Sequence, residues 1–411
     1  MIKVLMISDV SYGGASFGAR RLFSALKEAP KLSMHWVIAS GPALTGAGIA
    51  DHKALFSVLL RCHLAIRRRS TDKDKHKALL GMNEANVLSQ VHRLNPDCIL
   101  LQNIHESMSF NLVASLPKDL PIVWTLRDMW PLTGYCCYSY ECRKYLEGCR
   151  GACPQMNQWG IPLNHPDSEW DRRTAFFEAN RHRLVLAAPS QWLVDCVRSR
   201  MGEGYRTEYI PNSVDLTEFV PLGPRSVIKA MLGFNPQEPL ILAGAHSIHE
   251  ERKGAKYLLD AVDLLRKKIG RVSVAVYGSG VIEGYDDVTS FGSVMDARFL
   301  NLLYNAADVF VLPSLAENAA NTLIEATAAG TPSVAFDIGG CPELVRDGLT
   351  GFIAKYKDVN DLAACIERLV VMSDAEKLKM REDCRRFAER NYSFKLQGER
   401  YAQVIRNICH L

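Results

Sequence analysis

The sequence lacks a long uninterrupted apolar run, since no window of its 411 residues approaches ~18 consecutive apolar side chains. This excludes an obvious membrane-spanning helix. The formal net charge is only +4, from 49 basic and 45 acidic residues, so composition makes no whole-chain case for nucleic-acid binding. No G-x-G-x-x-G motif follows a predicted strand, which argues against a dinucleotide-dependent oxidoreductase. Internal repeats and low-complexity segments are also missing.

The composition that remains is that of a globular protein, with 48% hydrophobic and 23% charged residues. A chain of 411 residues is too long for one ordinary core and favours two domains of about 200 residues each. The apolar run within the first ten residues is too short for a signal-peptide core and stops at Asp9 without a cleavage site, so it indicates a first strand. We therefore expect a cytoplasmic protein whose twelve cysteines stay reduced unless they bind metal.

The region 308–352 contains the clearest pattern of alternating strands and helices. It predicts a buried strand at 308–313, a helix that begins near Thr322, a second strand at 333–337 and a turn with Gly339 and Gly340. Uninterrupted apolar strands are typical of a parallel sheet that is covered on both faces. Ligands bind such sheets beyond the carboxyl ends of the strands, so we expect a site in the loop after 313.

Two carboxylates, Glu317 and Glu325, lie on either side of the predicted helix start. The amides around Asn321 and Thr322 would lack acceptors within the helix and carry the positive end of its dipole, which favours a phosphate. A phosphate flanked by two carboxylates fits a sugar nucleotide. The alternative is a capping box, in which Glu325 only reaches back to Thr322 and Glu317 is a solvated loop acid.

The segment from Glu317 and Glu325 onward, EATAAGTPSVAFDIGGCPELVRDGLTGF, resembles the signature of the retaining glycosyltransferases of family 4. The resemblance implies the GT-B fold, an α/β fold of two Rossmann-like domains that face each other across a cleft, with a C-terminal helix that crosses back to the first domain. It implies domains over 1–212 and 213–391, with a helix at 392–411 returning to the first. Glu317 would lie by the donor sugar, Glu325 would bind the ribose, and the amides of Asn321 and Thr322 would hold the diphosphate.

The same resemblance extends to other residues of the chain. The lysine that precedes Gly254 in the sequence ERKG would contact the donor phosphates, and this is Lys253. The family's arginine stands several residues earlier, where this chain has Ala245 to Ser247, so we expect Arg252 to take its role. The other donor-binding candidates are the glycine pair after the first strand, the end of the strand at 272–277 and the segment that would border the base: Gly13, Gly14, Gly278 and Val294.

Two candidates follow strands of the first domain, namely His105 and Arg127. Arg127 stands in the sequence TLRDMWP, which is similar to a TLHDMWP motif of one family subgroup. The subgroup's histidine lies near the reacting sugar, so its replacement puts that role in doubt; an arginine could instead neutralise the leaving diphosphate. On the residues alone, His105 could be an ordinary loop histidine, and Arg127 could pair with Asp128 at the surface.

Four cysteines follow in the segment 134–154 with the spacing C-x5-C-x6-C-x3-C: Cys136, Cys142, Cys149 and Cys153. This segment is poor in apolar residues, and four thiolates around Zn²⁺ would stabilise it. Buried free thiols or a disulfide are the alternatives. Such a zinc site would be structural, because four cysteines leave no position open for substrate.

The region 52–77 places apolar residues beside a cluster of arginines and lysines. Such a pattern could rest on an anionic membrane, although a solvated loop after a helix is an equal alternative. Taken together, we expect an enzyme that transfers a sugar from a nucleotide-sugar donor to a saccharide or lipid-linked saccharide in surface polysaccharide biosynthesis. It would need no metal for chemistry, and it would act in the cytoplasm, with or without contact at the inner face of the membrane. The alternatives are an inactive sugar-nucleotide-binding protein and, less favoured, an oxidoreductase.

Overall fold

The computed structural model describes residues 1–10, 13–40, 73–155, 165–248, 250–280 and 287–410. Most of the predicted basic region at 52–77 lies outside these residues. The chain divides into two units, one formed by Met1–Ile210 with Gln397–Leu411 and the other by Pro211–Leu396. The division into an acceptor-side domain over 1–212 and a nucleotide-sugar-binding domain over 213–391 stays a prediction.

Among the described residues, the first unit contains a parallel sheet of six strands in the order β2-β1-β3-β4-β5-β6. The residues of β3 and β4 are all buried, because helices cover both faces of the sheet. The strands are β1 (Ile2–Val10), β2 (Leu32–Ser40), β3 (Cys98–Leu101), β4 (Ile122–Thr125), β5 (Leu184–Ala188) and β6 (Arg206–Tyr209). The helices that accompany them are α1 (Gly13–Lys27), α2 (Lys73–Leu94), α3 (Phe110–Ser115), α4 (Pro166–Asn180) and α5 (Gln191–Met201).

The second unit repeats this architecture, with a described parallel sheet of six strands in the order β12-β11-β10-β7-β8-β9. Along β10, Val309 and Val311 contribute to one apolar cluster, and Phe310 and Leu312 contribute to another on the opposite face. The strands are β7 (Leu240–Ser247), β8 (Ser273–Ser279), β9 (Val288–Ser290), β10 (Val309–Leu312), β11 (Ser333–Phe336) and β12 (Gly351–Ala354).

The helices of the second unit include three that the sequence did not suggest, α6, α8 and α10. All are short, at 7, 10 and 4 residues, so they offer little periodicity to detect. The helices are α6 (Arg225–Met231), α7 (Ala255–Ile269), α8 (Ala297–Ala306), α9 (Asn321–Ala328), α10 (Cys341–Leu344), α11 (Val359–Val370) and α12 (Asp374–Asn391). Within the residues that the structure describes, none of the helices has the length and apolar character needed to cross a bilayer.

The last helix, α13 (Phe394–Ile408), packs in the first unit from Gln397 onward. Its Tyr401 and Ile405 are buried in the same apolar cluster as Val4 and Met6 of β1. The expected return of the C-terminal helix is therefore confirmed.

Each sheet reverses its strand order at one point, between β1 and β3 in the first unit and between β7 and β10 in the second. Loops leave in opposite directions at such a point and open a crevice at the carboxyl ends of the strands, where ligands bind. In the second unit this crevice is bordered by the turn after β7 and by the loop after β10.

Candidate functional site

In the second unit, the turn after β7 and the loop after β10 meet at Glu317. Nζ of Lys253 lies 2.8 Å from Oε2 of Glu317, and Nη1 of Arg252 lies 3.4 Å from the same oxygen. Only 9% of the Glu317 side chain is exposed. Burial alone would raise the pKa of Glu317, but the charges of Lys253 and Arg252 outweigh it and hold that pKa below its ordinary value. Glu317 is therefore a buried, ionised carboxylate with two cations beside it.

A close backbone approach positions Lys253. The short 3₁₀ turn Glu251–Lys253 ends at Gly254, whose φ of 69° is left-handed. A Cβ on Gly254 would lie 1.9 Å from the carbonyl oxygen of Pro313, so glycine is required on two counts. Arg252 is fixed in addition by an ion pair with Glu250 and by donation to the Ala316 carbonyl at 3.0 Å.

The predicted glycine turn lies against the other side of the Glu317 backbone. Gly339 has a φ of 56°, and a Cβ there would lie 1.8 Å from the Glu317 carbonyl oxygen. The turn with Gly254 and the turn with Gly339 can thus both pack against the loop after β10, because each has a glycine at the point of contact. Gly278, at the end of β8, donates from its amide to the carbonyl of Gly292 at 2.7 Å. This hydrogen bond joins it to the segment that contains Val294.

Glu325 does not form the capping box that the sequence allowed. Helix α9 begins at Asn321 with Ala320 as its N-cap, and no side chain caps it, so Thr322 lies inside the helix. Instead, the hydroxyl of Tyr304 donates to Oε2 of Glu325 at 3.2 Å, and the hydroxyl of Tyr277 lies 2.6 Å from that of Tyr304. Burial raises the pKa of both phenols, so both keep their protons. The two tyrosines hold the Glu325 carboxylate from within the core.

In the first unit, Arg127 is half-buried within a hydrogen-bonded chain at the carboxyl ends of β3 and β4. Its Nη2 donates to Oε1 of Gln102 at 2.7 Å, and Gln102 donates to the Thr125 hydroxyl at 2.9 Å. The Thr125 hydroxyl in turn lies 2.9 Å from that of Tyr401 on α13. Burial lowers the pKa of Arg127. A Cβ on Gly18 of α1 would lie 2.7 Å from Nη1 of Arg127, so Gly18 gives the guanidinium its space.

Asp128 forms an ion pair with His105 and not with Arg127. Nε2 of His105 lies 2.8 Å from Oδ2 of Asp128, and both side chains are largely buried. Sγ of Cys137 lies 3.5 Å from the same ring nitrogen. Burial alone would lower the pKa of His105, but the side chains of Cys137 and Asp128 raise it well above its ordinary value. The surface pair of Arg127 with Asp128 that the sequence allowed is therefore wrong, because Asp128 is buried and bonded to His105.

Asp9, at the carboxyl end of β1, lies in the same part of the first unit. Its carboxylate accepts hydrogen bonds from the amides of Glu106 and Ser107 and from the Ser107 hydroxyl. Burial, together with the charge of Glu106, raises the pKa of Asp9 to about 7. Of the glycine pair predicted to contact a ligand, Gly13 begins α1, and a Cβ on Gly14 would meet no described atom within 4 Å.

The four cysteines predicted to bind zinc do not form a closed cluster. Among the described residues, no three of the sulfur atoms of Cys136, Cys142, Cys149 and Cys153 lie within 4.8 Å of one another. Cys136 is buried and the other three are partly exposed. The sulfur of Cys149 accepts a hydrogen bond from the amide of Gly134 at 3.3 Å, as a free thiol can. The structure therefore gives the four-thiolate site no support, and that site stays a prediction.

Comparison with known proteins identifies the family. The family model described as "Glycosyl transferases group 1" matches residues 238–371, which include Lys253, Glu317 and Glu325. D-inositol 3-phosphate glycosyltransferase of Nocardia farcinica is 31% identical over 340 residues, which are 78% of this chain and 69% of that protein. The chain belongs to the group 1 glycosyltransferases. The prediction of a glycosyltransferase enzyme is thereby confirmed.

Two further similarities bear on this group 1 glycosyltransferase. The putative colanic acid biosynthesis glycosyl transferase WcaC of Escherichia coli is 28% identical over 241 residues, which are 56% of this chain and 55% of that protein. The crystal structure of Anabaena HepE in complex with UDP-glucose has a TM-score of 0.65 and 15% identity, and covers 99% of this chain and 100% of its own. At that identity the likeness shows the fold alone, and it confirms the predicted GT-B fold.

The sequence did not indicate several residues that support the candidate site of this glycosyltransferase. Tyr277 and Tyr304 look like ordinary core aromatics on an amphipathic pattern, and no local signal marks their contact with Glu325. Gly18 lies inside a helix, where a glycine costs stability and so hints at a packing reason. Asp9 could have been noticed, because it is a polar residue that directly ends a buried strand at the edge where ligands bind.

Proposed function

We propose that this glycosyltransferase moves a sugar from a nucleotide-sugar donor to a hydroxyl group of a saccharide or lipid-linked saccharide, with retained anomeric configuration. The observation that carries the proposal is the pairing of Lys253 and Arg252 with the buried Glu317, close to the uncapped start of α9. Family membership supports a nucleotide-sugar donor, and the HepE complex supports it further through the UDP-glucose in that structure.

The cations would act on the leaving group. When the bond between the anomeric carbon and the diphosphate oxygen breaks, its electron pair leaves with the diphosphate and negative charge grows there. Lys253, Arg252 and the first amides of α9, at Asn321 and Thr322, offer positive charge and donors for that group. Because Gly254 fixes the turn before Lys253, these groups would need little reorganisation during the reaction.

The carboxylates would act on the two ends of the donor. Glu317, kept ionised by its cations, would accept hydrogen bonds from sugar hydroxyls and stabilise positive charge that develops on the sugar ring. Glu325 would accept from the ribose hydroxyls, with its carboxylate oriented by Tyr304. Retention requires that the acceptor oxygen bonds to the anomeric carbon on the face from which the diphosphate departs.

The first unit would serve the acceptor. Arg127 and His105 lie at the carboxyl edge of its sheet, and we propose that they take part in transfer, with Arg127 acting on negative charge. The donor contacts of Gly13, Gly14, Gly278 and Val294 stay predictions. We further propose a role in surface polysaccharide biosynthesis, in the cytoplasm at the inner face of the membrane. The similarity to WcaC supports that process.

Thermal shift of the full-length protein against UDP-, GDP-, ADP- and dTDP-sugars tests the donor site. A donor at ~100-fold its Kd should add ~2.7 kcal/mol to the free energy of unfolding. Lys253→Ala and Glu325→Ala should lose this shift, whereas Lys379→Ala, which removes an exposed lysine of the same unit, should keep it.

The outcome that contradicts the proposal is a folded wild-type protein that no donor stabilises, or a donor that stabilises both variants as much as the wild type. Once the donor is known, release of its nucleoside diphosphate with an acceptor distinguishes transfer from binding alone. The anomeric proton coupling of the product then tests retention.

A further inference from the structure

Three metal-ligating atoms from separate segments of the first unit lie together: Nε2 of His105, Oδ2 of Asp128 and Sγ of Cys137. All three are within 4.8 Å of one another, and this is the one such group of three among the described residues. The distance is 2.8 Å from Nε2 to Oδ2 and 3.5 Å from Nε2 to Sγ. The sequence-based zinc prediction used other cysteines, so this group is a separate candidate.

The surrounding structure orients the three side chains. The second oxygen of Asp128, Oδ1, accepts from the amide of Trp130 at 2.8 Å, which leaves Oδ2 for His105. The amide of Met129 donates to the carbonyl of Cys137 at 2.8 Å and so ties the cysteine segment to the loop that contains Asp128. The indole of Trp130 packs beside the imidazole, with ring centroids 5.5 Å apart.

A nucleophilic triad does not explain this arrangement. In such a triad the carboxylate binds one ring nitrogen of the histidine, and the thiol gives its proton to the other. Here the thiol lies nearer to the nitrogen that the carboxylate already contacts, at 3.5 Å from Nε2 and 3.9 Å from Nδ1, so it does not take the triad position on the other nitrogen. Three potential ligand atoms within 4.8 Å of one another can instead close around a bound cation.

The spacing also fits a tetrahedral ion. Zn–S bonds of about 2.3 Å and Zn–N bonds of about 2.0–2.1 Å at a tetrahedral angle place sulfur and nitrogen roughly 3.5 Å apart. This matches the observed distance between Sγ of Cys137 and Nε2 of His105. Nitrogen and oxygen would stand roughly 3.4 Å apart, so His105 and Asp128 must separate by about half an ångström. The imidazole must also turn to point Nε2 at the ion, because Sγ now lies near both ring nitrogens.

We propose that His105, Asp128 and Cys137 bind a divalent transition-metal ion such as Zn²⁺ through Nε2, Oδ2 and Sγ. On binding, the Cys137 thiol loses its proton to solvent, and the proton shared between His105 and Asp128 is also released. Three protein ligands leave a fourth position for water or another oxygen donor. This site is separate from the donor site proposed in the second unit, but it shares His105 with the residues proposed above to take part in transfer.

Titration of metal-free full-length protein with Co²⁺ tests the site, because cobalt reports thiolate ligation by its absorption. At the site of His105, Asp128 and Cys137 we expect one ion with the absorption of a single thiolate. Cys137→Ser should abolish that absorption, and His105→Gln should weaken binding at least 100-fold, more than the 10–100-fold typical of losing an outer-shell partner. Cys142→Ser and Cys149→Ser are the matched controls and should bind as the wild type does.

Two results would overturn the proposal. One is a folded wild-type protein that binds no Co²⁺ or Zn²⁺. The other is binding that Cys149→Ser abolishes and Cys137→Ser leaves intact, which would assign the metal to the four-cysteine segment. If Cys137→Ser does not fold, the wild-type spectrum still decides, because one thiolate and four thiolates give different absorption intensities.

Discussion

Removing the hydroxyl of Tyr304 gives a strong test of how Glu325 is held. Tyr304→Phe deletes both the donation to Glu325 at 3.2 Å and the contact with the Tyr277 hydroxyl at 2.6 Å. Leaving the buried Tyr277 hydroxyl without this partner, together with the loss of one hydrogen bond to Glu325, costs about 1–3 kcal/mol. Taking about 2 kcal/mol, and about 2–4 °C for each kcal/mol in a domain of this size, we expect Tm to fall by about 4–8 °C.

The companion variants make this prediction specific. Tyr277→Phe should cost less, because Tyr304 keeps its bond to Glu325. The double variant should cost less than the sum, because removing both partners leaves neither hydroxyl unsatisfied. Tyr257→Phe removes a phenol hydroxyl elsewhere in the same unit and is the control. Scanning calorimetry of the full-length proteins measures all four.

Donor affinity provides a second measurement of the same contact. If Glu325 binds the ribose, loss of its orientation in Tyr304→Phe should raise the Kd of the donor about fivefold, which corresponds to about 1 kcal/mol. Isothermal titration with the donor identified above measures this. A Tm within about 1 °C of the Tyr257→Phe control, together with an unchanged Kd, would refute the reasoning.

Two other predictions concern the remaining site residues. Because the pKa of Glu317 is lowered in the folded protein, its pairing with Lys253 stabilises the fold above its ordinary pKa of 4.5, and this stabilisation is lost as pH falls through the folded value. The Tm advantage of the wild type over Glu317→Gln should therefore shrink below about pH 4.5. A Tm difference that stays constant from pH 7 to 3 contradicts this. Gly18→Ala should reduce transfer because the added Cβ displaces Arg127, and Tm should change little, because the helix gain of about 1 kcal/mol is offset by the loss of the hydrogen bond from Arg127 to Gln102, about 1 kcal/mol. Gly81→Ala, at a helix position where a Cβ would meet no described atom within 4 Å, should raise Tm without changing transfer, and equal activity of the two variants would remove Arg127 from the reaction.

The sequence predicted the fold well because its signals are local and repeated. Most buried strands are apolar runs such as VFVL at 309–312, and many are followed by a turn and a helix pattern. The strand at Val288–Ser290 was missed because it has only three residues, and these are not buried. A short exposed strand shows neither the apolar run nor the alternation that sequence reasoning requires.

The site was less predictable because its contacts join distant residues. Nothing local places Lys253 beside Glu317, 64 residues away, and only the family resemblance suggested a shared ligand. The capping box at Thr322 shows the reverse case. The local sequence pattern is present, but the helix begins one residue earlier and Glu325 bonds to the distant Tyr304. Likewise, His105 and Asp128 meet because the carboxyl ends of neighbouring strands share one edge, which spacing in the sequence does not reveal.

Arg127 shows how such contacts change the interpretation of a motif. Where the resembled subgroup has histidine, this chain has an arginine that reaches Gln102 and fills the space above Gly18. Gln102 continues through Thr125 to Tyr401 of the last helix, so the arginine is part of the framework of the first unit as well as a candidate for the reaction. Restoring histidine would remove the guanidinium that donates to Gln102 and leave the space beside Gly18 unfilled. The position of Arg127 therefore depends on Gln102 and Gly18, and its chemical role must be tested with both residues in place.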